Sequence, residues 1–177
     1  KINFMRKITL LGLLLVQSLY IFAQIPAGYY NSATDSGYVL KTQLFNIIKN
    51  HNVKQYNDLW QYFDNTDLDI DGFIYDMYSE NPTGTDPYNF TFSTNQCGNY
   101  SQESDCYNRE HSFPKSWFND ATPMISDLHH ILPTDGYVNG IRGNNPYGET
   151  TSPTKTTQNG SESGPGTSAL GYTSTVF

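Results

Sequence analysis

The residues able to do chemistry are concentrated between positions 108 and 142. Two phrases hold them: Asn108-Arg109-Glu110-His111-Ser112-Phe113-Pro114-Lys115-Ser116-Trp117, and Ser126-Asp127-Leu128-His129-His130-Ile131-Leu132-Pro133-Thr134-Asp135-Gly136-Tyr137-Val138-Asn139-Gly140-Ile141-Arg142. A carboxylate and a carboxamide oxygen suit a hard divalent cation. An imidazole near its ordinary pKa can take a proton from water, and a guanidinium can grip two phosphate oxygens. Together they form a kit for holding a metal, activating water and gripping a phosphodiester. Taken singly, each has a plainer reading. Glu110-His111 suits a surface ion pair, and Asn139 beside Gly140 suits a turn or cap.

The flanking pattern indicates how such residues would be brought together. Leu128 to Leu132 has the composition of a short strand, and Pro133-Thr134-Asp135 is a helix-start signal with Thr134 as N-cap. On the helix that follows, Asn139 and Arg142 are three apart and share a face. Glu110 and His111 fall on the other strand. The predicted order is strand, loop, strand, helix: a ββα hairpin with its metal-binding group on the helix. His129 and His130 point to opposite faces of a strand, so at most one can face a metal. Asp127 is assigned a structural role.

These phrases resemble the endonuclease I family of secreted or periplasmic bacterial nucleases, within the His-Me (ββα-metal) finger group. The likeness runs from about Gln24 to Phe177 and is densest over 97–149. It implies an α+β fold with a ββα-metal core, extra helices and long loops. It also implies a largely sequence-non-specific endonuclease acting on DNA, with RNA as a further substrate, that leaves 5′-phosphate and 3′-hydroxyl ends. By the same resemblance His111 is the general base, and Glu110 and Asn139 are the ligands of one Mg²⁺, for which Mn²⁺ or Ca²⁺ could substitute. Arg142 clamps a phosphate, and Arg109 and Lys115 contact substrate. Two alternatives stay open. One is an exported binding or adhesion domain that keeps the fold without activity, using exposed aromatics among its 14 tyrosines. The other is a metallohydrolase of a different phosphodiester.

Residues 5–23 have the form of an export signal: Met5-Arg6-Lys7, then an uncharged apolar run from Ile8 to Phe22 ending at Ala23. A buried N-terminal helix or a membrane anchor is the competing reading. Cleavage there leaves 24–177 as one nuclease domain, a monomer without membrane association. The predicted location is secreted or periplasmic. The chain is acidic, with 10 Lys plus Arg against 17 Asp plus Glu. Residues 24–177 keep seven of those cations, for a formal charge of −10. A large basic face for nucleic acid is therefore excluded. Three of the seven, Arg109, Lys115 and Arg142, lie inside the motif segment. Cys97 and Cys106 are an even pair in an exported chain, which makes a disulfide the default. Two reduced buried thiols are the alternative.

Elsewhere the periodicity predicts a helix over 38–49, a shorter one over 56–63, and strands over 73–78 and 89–94. Residues 143–166 read as a long irregular surface loop. The stretch 170–177 reads as the start of a further strand, with C-terminal helices missing beyond it. Asp67-Leu68-Asp69-Ile70-Asp71-Gly72 matches the first half of a calcium loop. Its twelfth position is Tyr78, which cannot supply the bidentate carboxylate, so a solvated acidic turn is expected there.

Overall fold

The structure is a computed structural model and describes residues 25–177. The export signal expected over 5–23 lies outside the described residues. The chain divides into two compact units, Lys1–Asn52 and Val53–Phe177. In the first, helix α1 (Gly37–Ile48) stands where the helical spacing of Val39, Leu40, Leu44, Ile47 and Ile48 puts it. Its approach is braced by a reciprocal pair. Gln43 Nε2 donates to Asp35 Oδ2 at 2.6 Å, and the Asp35 amide donates back to Gln43 Oε1 at 3.2 Å. Among the described residues no helix is long and apolar enough to cross a membrane.

The second unit mixes helices with two sheets, an α+β arrangement. It opens with a 3-10 helix, Tyr56–Tyr62, that runs into the short helix α2 (Phe63–Thr66). This segment buries Leu59 and Phe63 against Ile74, Phe90, Tyr107 and Ile131. The core is largely aromatic. Trp60 and Phe90 meet the Tyr107 ring with centroids 5.7 and 5.8 Å away, at the tilted angles that ring quadrupoles favour.

Strand β1 (Tyr107–His111) lies on that core and pairs antiparallel with β2 (Ile131–Asp135), with Glu110 opposite Leu132 and His111 opposite Ile131. Helix α3 (Gly136–Arg142) follows at once, so the strand, loop, strand, helix order is present. The second strand begins three residues later than its composition predicts. The reason is local: Asp127 Oδ1 accepts the His129 amide at 3.0 Å, and the His130 amide reaches Asp127 O at 3.2 Å, closing a turn over 127–130. His129 and His130 therefore sit on a turn and not on two faces of a strand. The cap also differs. Asp135 Oδ1 accepts the Val138 amide at 2.9 Å, whereas Thr134 is buried in β2 and donates to Asp76 Oδ1 at 2.6 Å. Gly140 lies within α3, and the position is left to glycine because a Cβ there would stand 2.6 Å from the Tyr100 hydroxyl, whose ring lies along the helix.

Two predicted strands shrink to one bridged residue each. Over 73–78 only Ile74 pairs, with Leu68 and Phe90. The buried Asp76 carboxylate then bends the chain by accepting the Tyr78 amide and the Ser79 hydroxyl. Over 89–94 only Phe90 pairs, because Asn95 Oδ1 accepts the Thr91 amide and Ser93 turns at φ 65°. The reverse holds after residue 143. The expected irregular loop contains β3 (Gly148–Thr150), β4 (Lys155–Thr156) and β5 (Glu162–Ser168). With β6 (Thr173–Val176), where a strand is expected, they form one sheet in which β5 pairs with the other three. Its sequence, Glu162-Ser163-Gly164-Pro165-Gly166-Thr167-Ser168, shows no apolar alternation. The pairing rests on backbone approach: a Cβ on Gly164 would stand 2.6 Å from the Ser152 carbonyl oxygen.

Cys97 and Cys106 form a disulfide, with Cα atoms 5.6 Å apart. It closes a short loop onto the start of β1, where the Cys97 amide donates to Tyr107 O at 3.0 Å and the Tyr107 amide to Asn95 O at 2.9 Å. A loop of this length stabilises the fold by about 2–3 kcal/mol, chiefly by restricting the unfolded chain. Reduction should lower the melting temperature by roughly 5–15 °C, measured by circular dichroism with and without reductant. An unchanged transition would show that the bridge does not hold the β1 segment.

Candidate active site

The period-2 alternation of β1 sorts the motif onto two faces. Tyr107, Arg109 and His111 face the aromatic side. The Arg109 guanidinium lies 3.8 Å from the Tyr56 ring centroid and 4.6 Å from that of Trp60, and the His111 ring stacks on Tyr56 at 5.7 Å. Asn108 and Glu110 alternate with them. Asn108 meets α3, where Asn139 Nδ2 donates to Asn108 Oδ1 at 2.7 Å. The two faces meet at the end of β1 in a cleft of about 150 Å³, lined by Tyr56, Arg109, Glu110, His111, Lys115 and Asn139 among others. A larger cavity of about 360 Å³ opens between Tyr78, Tyr147, Glu149 and Phe177 and is lined by none of these candidate residues.

Glu110 is buried, and its Oε1 is doubly engaged. The Tyr78 hydroxyl donates to it at 2.7 Å, and Arg142 Nη1 stands 3.0 Å away. Burial pushes the Glu110 carboxyl up to about 7, against the opposing pull of the Tyr78 hydrogen bond and the Arg142 charge. Oε2 has no side-chain partner among the described residues. Arg142, at the last turn of α3, is 1% exposed. Its Nη1 also donates to His111 O and Gly143 O, its Nη2 donates to Ser112 O at 2.8 Å, and its guanidinium lies over the Tyr147 ring. The cation expected to clamp phosphate is thus already engaged by the protein, leaving only a buried Nε without a partner. Arg109 is held between its two rings and donates to Tyr56 O. Lys115 is exposed and stands 3.7 Å from Asp120.

His111 is buried beside Glu110. Its Nε2 lies 3.1 Å from Ile125 O. A carbonyl can only accept, so Nε2 carries the proton and Nδ1 keeps the lone pair. Burial pushes the imidazole below its ordinary value, with the Ile125 bond acting in the opposite sense. The His130 ring stands 5.7 Å from that of His111, with its Nε2 tied to Met124 O at 2.8 Å. His129 is solvent-facing and bonded to Asp127, the structural role expected of that carboxylate.

The donor set fits a small hard cation. Asn139 Nδ2 is bound to Asn108 Oδ1 and, at 3.4 Å, to Arg109 O, which fixes the amide so that Oδ1 is its free end. The cleft therefore offers one carboxylate oxygen and one amide oxygen on rigid elements, beside an imidazole lone pair.

All of these residues fall within one family match, which spans residues 36–177 and is described as endonuclease I. The chain belongs to the endonuclease I family. It is also 33% identical over 119 residues to an extracellular ribonuclease of Bacillus amyloliquefaciens, covering 66% of this chain and 38% of that protein. The chain thus spans well under half the length of that relative. No solved structure matches.

Within this endonuclease I chain, the segment expected as a solvated acidic turn does turn, the Gly72 amide donating to Asp69 O, with Asp71 exposed but Asp67 buried. Asp67 is buried on Thr66, and Asp69 Oδ1 accepts the amides of Asp71 and Phe73. Asp69 converges instead with Glu80 and Asp86, with ligand atoms within 4.8 Å of one another. Burial and then the Asp86 charge raise Glu80. The sequence does not single out Tyr56, which lines the cleft, or Tyr78 and Tyr147, which touch Glu110 and Arg142. Asn108 was within reach, since alternation places it on the same face as Glu110.

Arg142→Ala should cost about 3–5 kcal/mol of stability, because it leaves a buried carboxylate and three carbonyls without their donor. Arg142→Lys should recover less than half of that, a single ammonium being unable to span the same acceptors. Urea unfolding would measure both, and a loss under 1 kcal/mol for the alanine variant would contradict the bonding described.

Proposed function

We propose that the chain carries the catalytic unit of an exported, metal-dependent endonuclease that hydrolyses phosphodiester bonds of DNA and RNA with little regard for sequence. The observation supporting it most strongly is the joint placement of Glu110, His111 and Asn139 around one cleft. The strand, strand, helix unit is read as a ββα-metal finger. Glu110 and Asn139 would hold Mg²⁺, with Mn²⁺ or Ca²⁺ as substitutes. When bound, the ion supplies charge neutralisation at the scissile phosphate and at the departing 3′ oxygen.

The chain's own residues do the rest. His111 takes a proton from water at Nδ1, while Ile125 O holds the Nε2 proton and accepts more strongly as positive charge develops on the ring. Stacking on Tyr56 keeps the imidazole in one orientation. Arg142 is assigned to holding Glu110 and the end of β1, and not to the phosphate. Low sequence specificity follows because every group named addresses phosphate, metal or water, and none reads a base edge. The name of the ribonuclease relative supports RNA as a substrate, and supports export together with the disulfide. The reading takes the protein as a monomer.

A second reading is favoured by the closeness of His111 and His130: a metal-free ribonuclease with an acid–base histidine pair. It requires attack by the 2′-hydroxyl and leaves a 2′,3′-cyclic phosphate. Against it, His130 does not line the cleft that His111 lines, and each ring is tied to a neighbouring carbonyl, whereas in-line displacement needs acid and base on opposite sides of phosphorus.

His111→Ala should lower the cleavage rate about 10²–10⁴-fold with the fold retained. Retention of half the wild-type rate would remove His111 from the chemistry and favour another base, whereas no cleavage by the wild type would favour the idle binding domain. End-group analysis separates the two nuclease readings. Water attack leaves 5′-phosphate and 3′-hydroxyl on DNA and RNA alike, while cyclic phosphate on RNA, made without metal, would establish the histidine pair.

With Arg142 buried, Arg109 between rings and Lys115 beside Asp120, few cations remain to neutralise phosphates. Duplex binding by the His111→Ala variant should fall with salt at a slope of about −1 to −3, at roughly −0.9 per phosphate. A slope near −8 would require a basic surface absent from these residues.

A further inference from the structure

We propose that Tyr78 is a positioning residue for Glu110, occupying Oε1 together with Arg142 so that Glu110 presents Oε2 alone to a cation in the cleft. This rests on the reading of Glu110 as a metal ligand.

The Tyr78 hydroxyl stands 2.7 Å from Glu110 Oε1 and 2.9 Å from the Tyr147 hydroxyl. A phenol has one proton and an ionised carboxylate can only accept, so Tyr78 donates to Glu110 and Tyr147 donates to Tyr78. The chain of hydrogen bonds therefore runs in one direction, from Tyr147 through Tyr78 to Glu110. A carboxylate free to turn about its last bond offers either oxygen, or both, to a cation. Two donors on one oxygen remove that equivalence. A small octahedral ion gains from it, since it prefers single oxygens at fixed angles.

The placement of Tyr78 is itself determined. Its ring meets Phe177 edge-on at 4.9 Å, and its amide is bound by Asp76 Oδ1 at 3.1 Å. The same Asp76 carboxylate accepts the Thr134 hydroxyl at 2.6 Å and the Asp135 amide at 3.0 Å. Asp135 caps the helix that presents Asn139. One buried carboxylate thus sets both the phenol that aims Glu110 and the helix start that aims Asn139. Partners behind a ligand typically change metal affinity 10–100-fold when removed.

The test is calorimetry of the full chain with Mn²⁺ alone, on the wild type and on Tyr78→Phe, Tyr147→Phe and Glu110→Gln, with nicking assayed across a metal titration. Tyr78→Phe should weaken Mn²⁺ binding about 10–100-fold with unchanged circular dichroism, and nicking should recover at saturating metal. Tyr147→Phe, which removes the donor behind Tyr78, should weaken binding in the same direction and by less. If Tyr78 only packs, the phenylalanine ring keeps its contact with Phe177, so affinity within twofold of wild type overturns the proposal. So does a loss of nicking that saturating metal does not restore. If Tyr78→Phe does not fold, unchanged affinity in Tyr147→Phe overturns it. Unchanged affinity in Glu110→Gln removes Glu110 as a ligand, and the proposal with it. A weakened Glu110→Gln beside an unchanged Tyr78→Phe defeats the Tyr78 role alone.

Discussion

The buried guanidinium of Arg142 ties the last turn of α3 to the last residues of β1, and the candidate site depends on that tie. It bonds the carbonyls of His111 and Ser112 and pairs with Glu110 through groups far apart in sequence. Removing a charge of this kind from water is costly unless every donor is met, and its partners meet all but Nε. The result is a strand end that cannot drift from its helix. The two faces of β1, which alternation would otherwise keep apart, open on the same cleft because the strand stops there.

A second buried group, the Asp76 carboxylate, does for β2 what Arg142 does for β1. It collects two backbone amides and two hydroxyls from Tyr78, Ser79, Thr134 and Asp135. With its acceptor sites filled, it needs no counter-cation. The site is thus held by hydrogen bonds to charged groups, which are stronger and more directional than the apolar contacts beneath them. The aromatic core supplies burial, and the charged anchors supply geometry.

This division decides what could be read from the sequence. The β1 pattern, the helix with Asn139 and Arg142 on it, and the pairing of Cys97 with Cys106 were legible because they rest on local spacing and on the habits of exported cysteines. The start of β2 was misplaced because Leu128 to Leu132 looks continuous, while the Asp127 side chain ends the turn only at His130. The sheet after residue 143 was invisible, since Ser, Thr and Gly pair by backbone and leave no hydrophobic period. Asp76 and Tyr78 were invisible for another reason. Their partners lie 59 and 32 residues away, and nothing in either neighbourhood announces them. Arg142 was placed correctly on its helix, but no local pattern distinguishes a guanidinium that faces a ligand from one that faces carbonyls.

Helix α3 has only seven residues, and three of them have fixed assignments relative to its cap: Val138 returns a bond to Asp135, Asn139 reaches Asn108, and Arg142 reaches His111. It therefore works as a ruler between two fixed ends. An inserted or deleted residue within it would turn everything downstream by about 100° and shift it by about 1.5 Å. No side-chain adjustment could restore both Asn139 and Arg142. The exposed turn around Asn119 carries no such double constraint. Tolerance to length change should thus vary sharply along this chain, and a family member with an altered count between Asp135 and Arg142 would have to build its cleft differently.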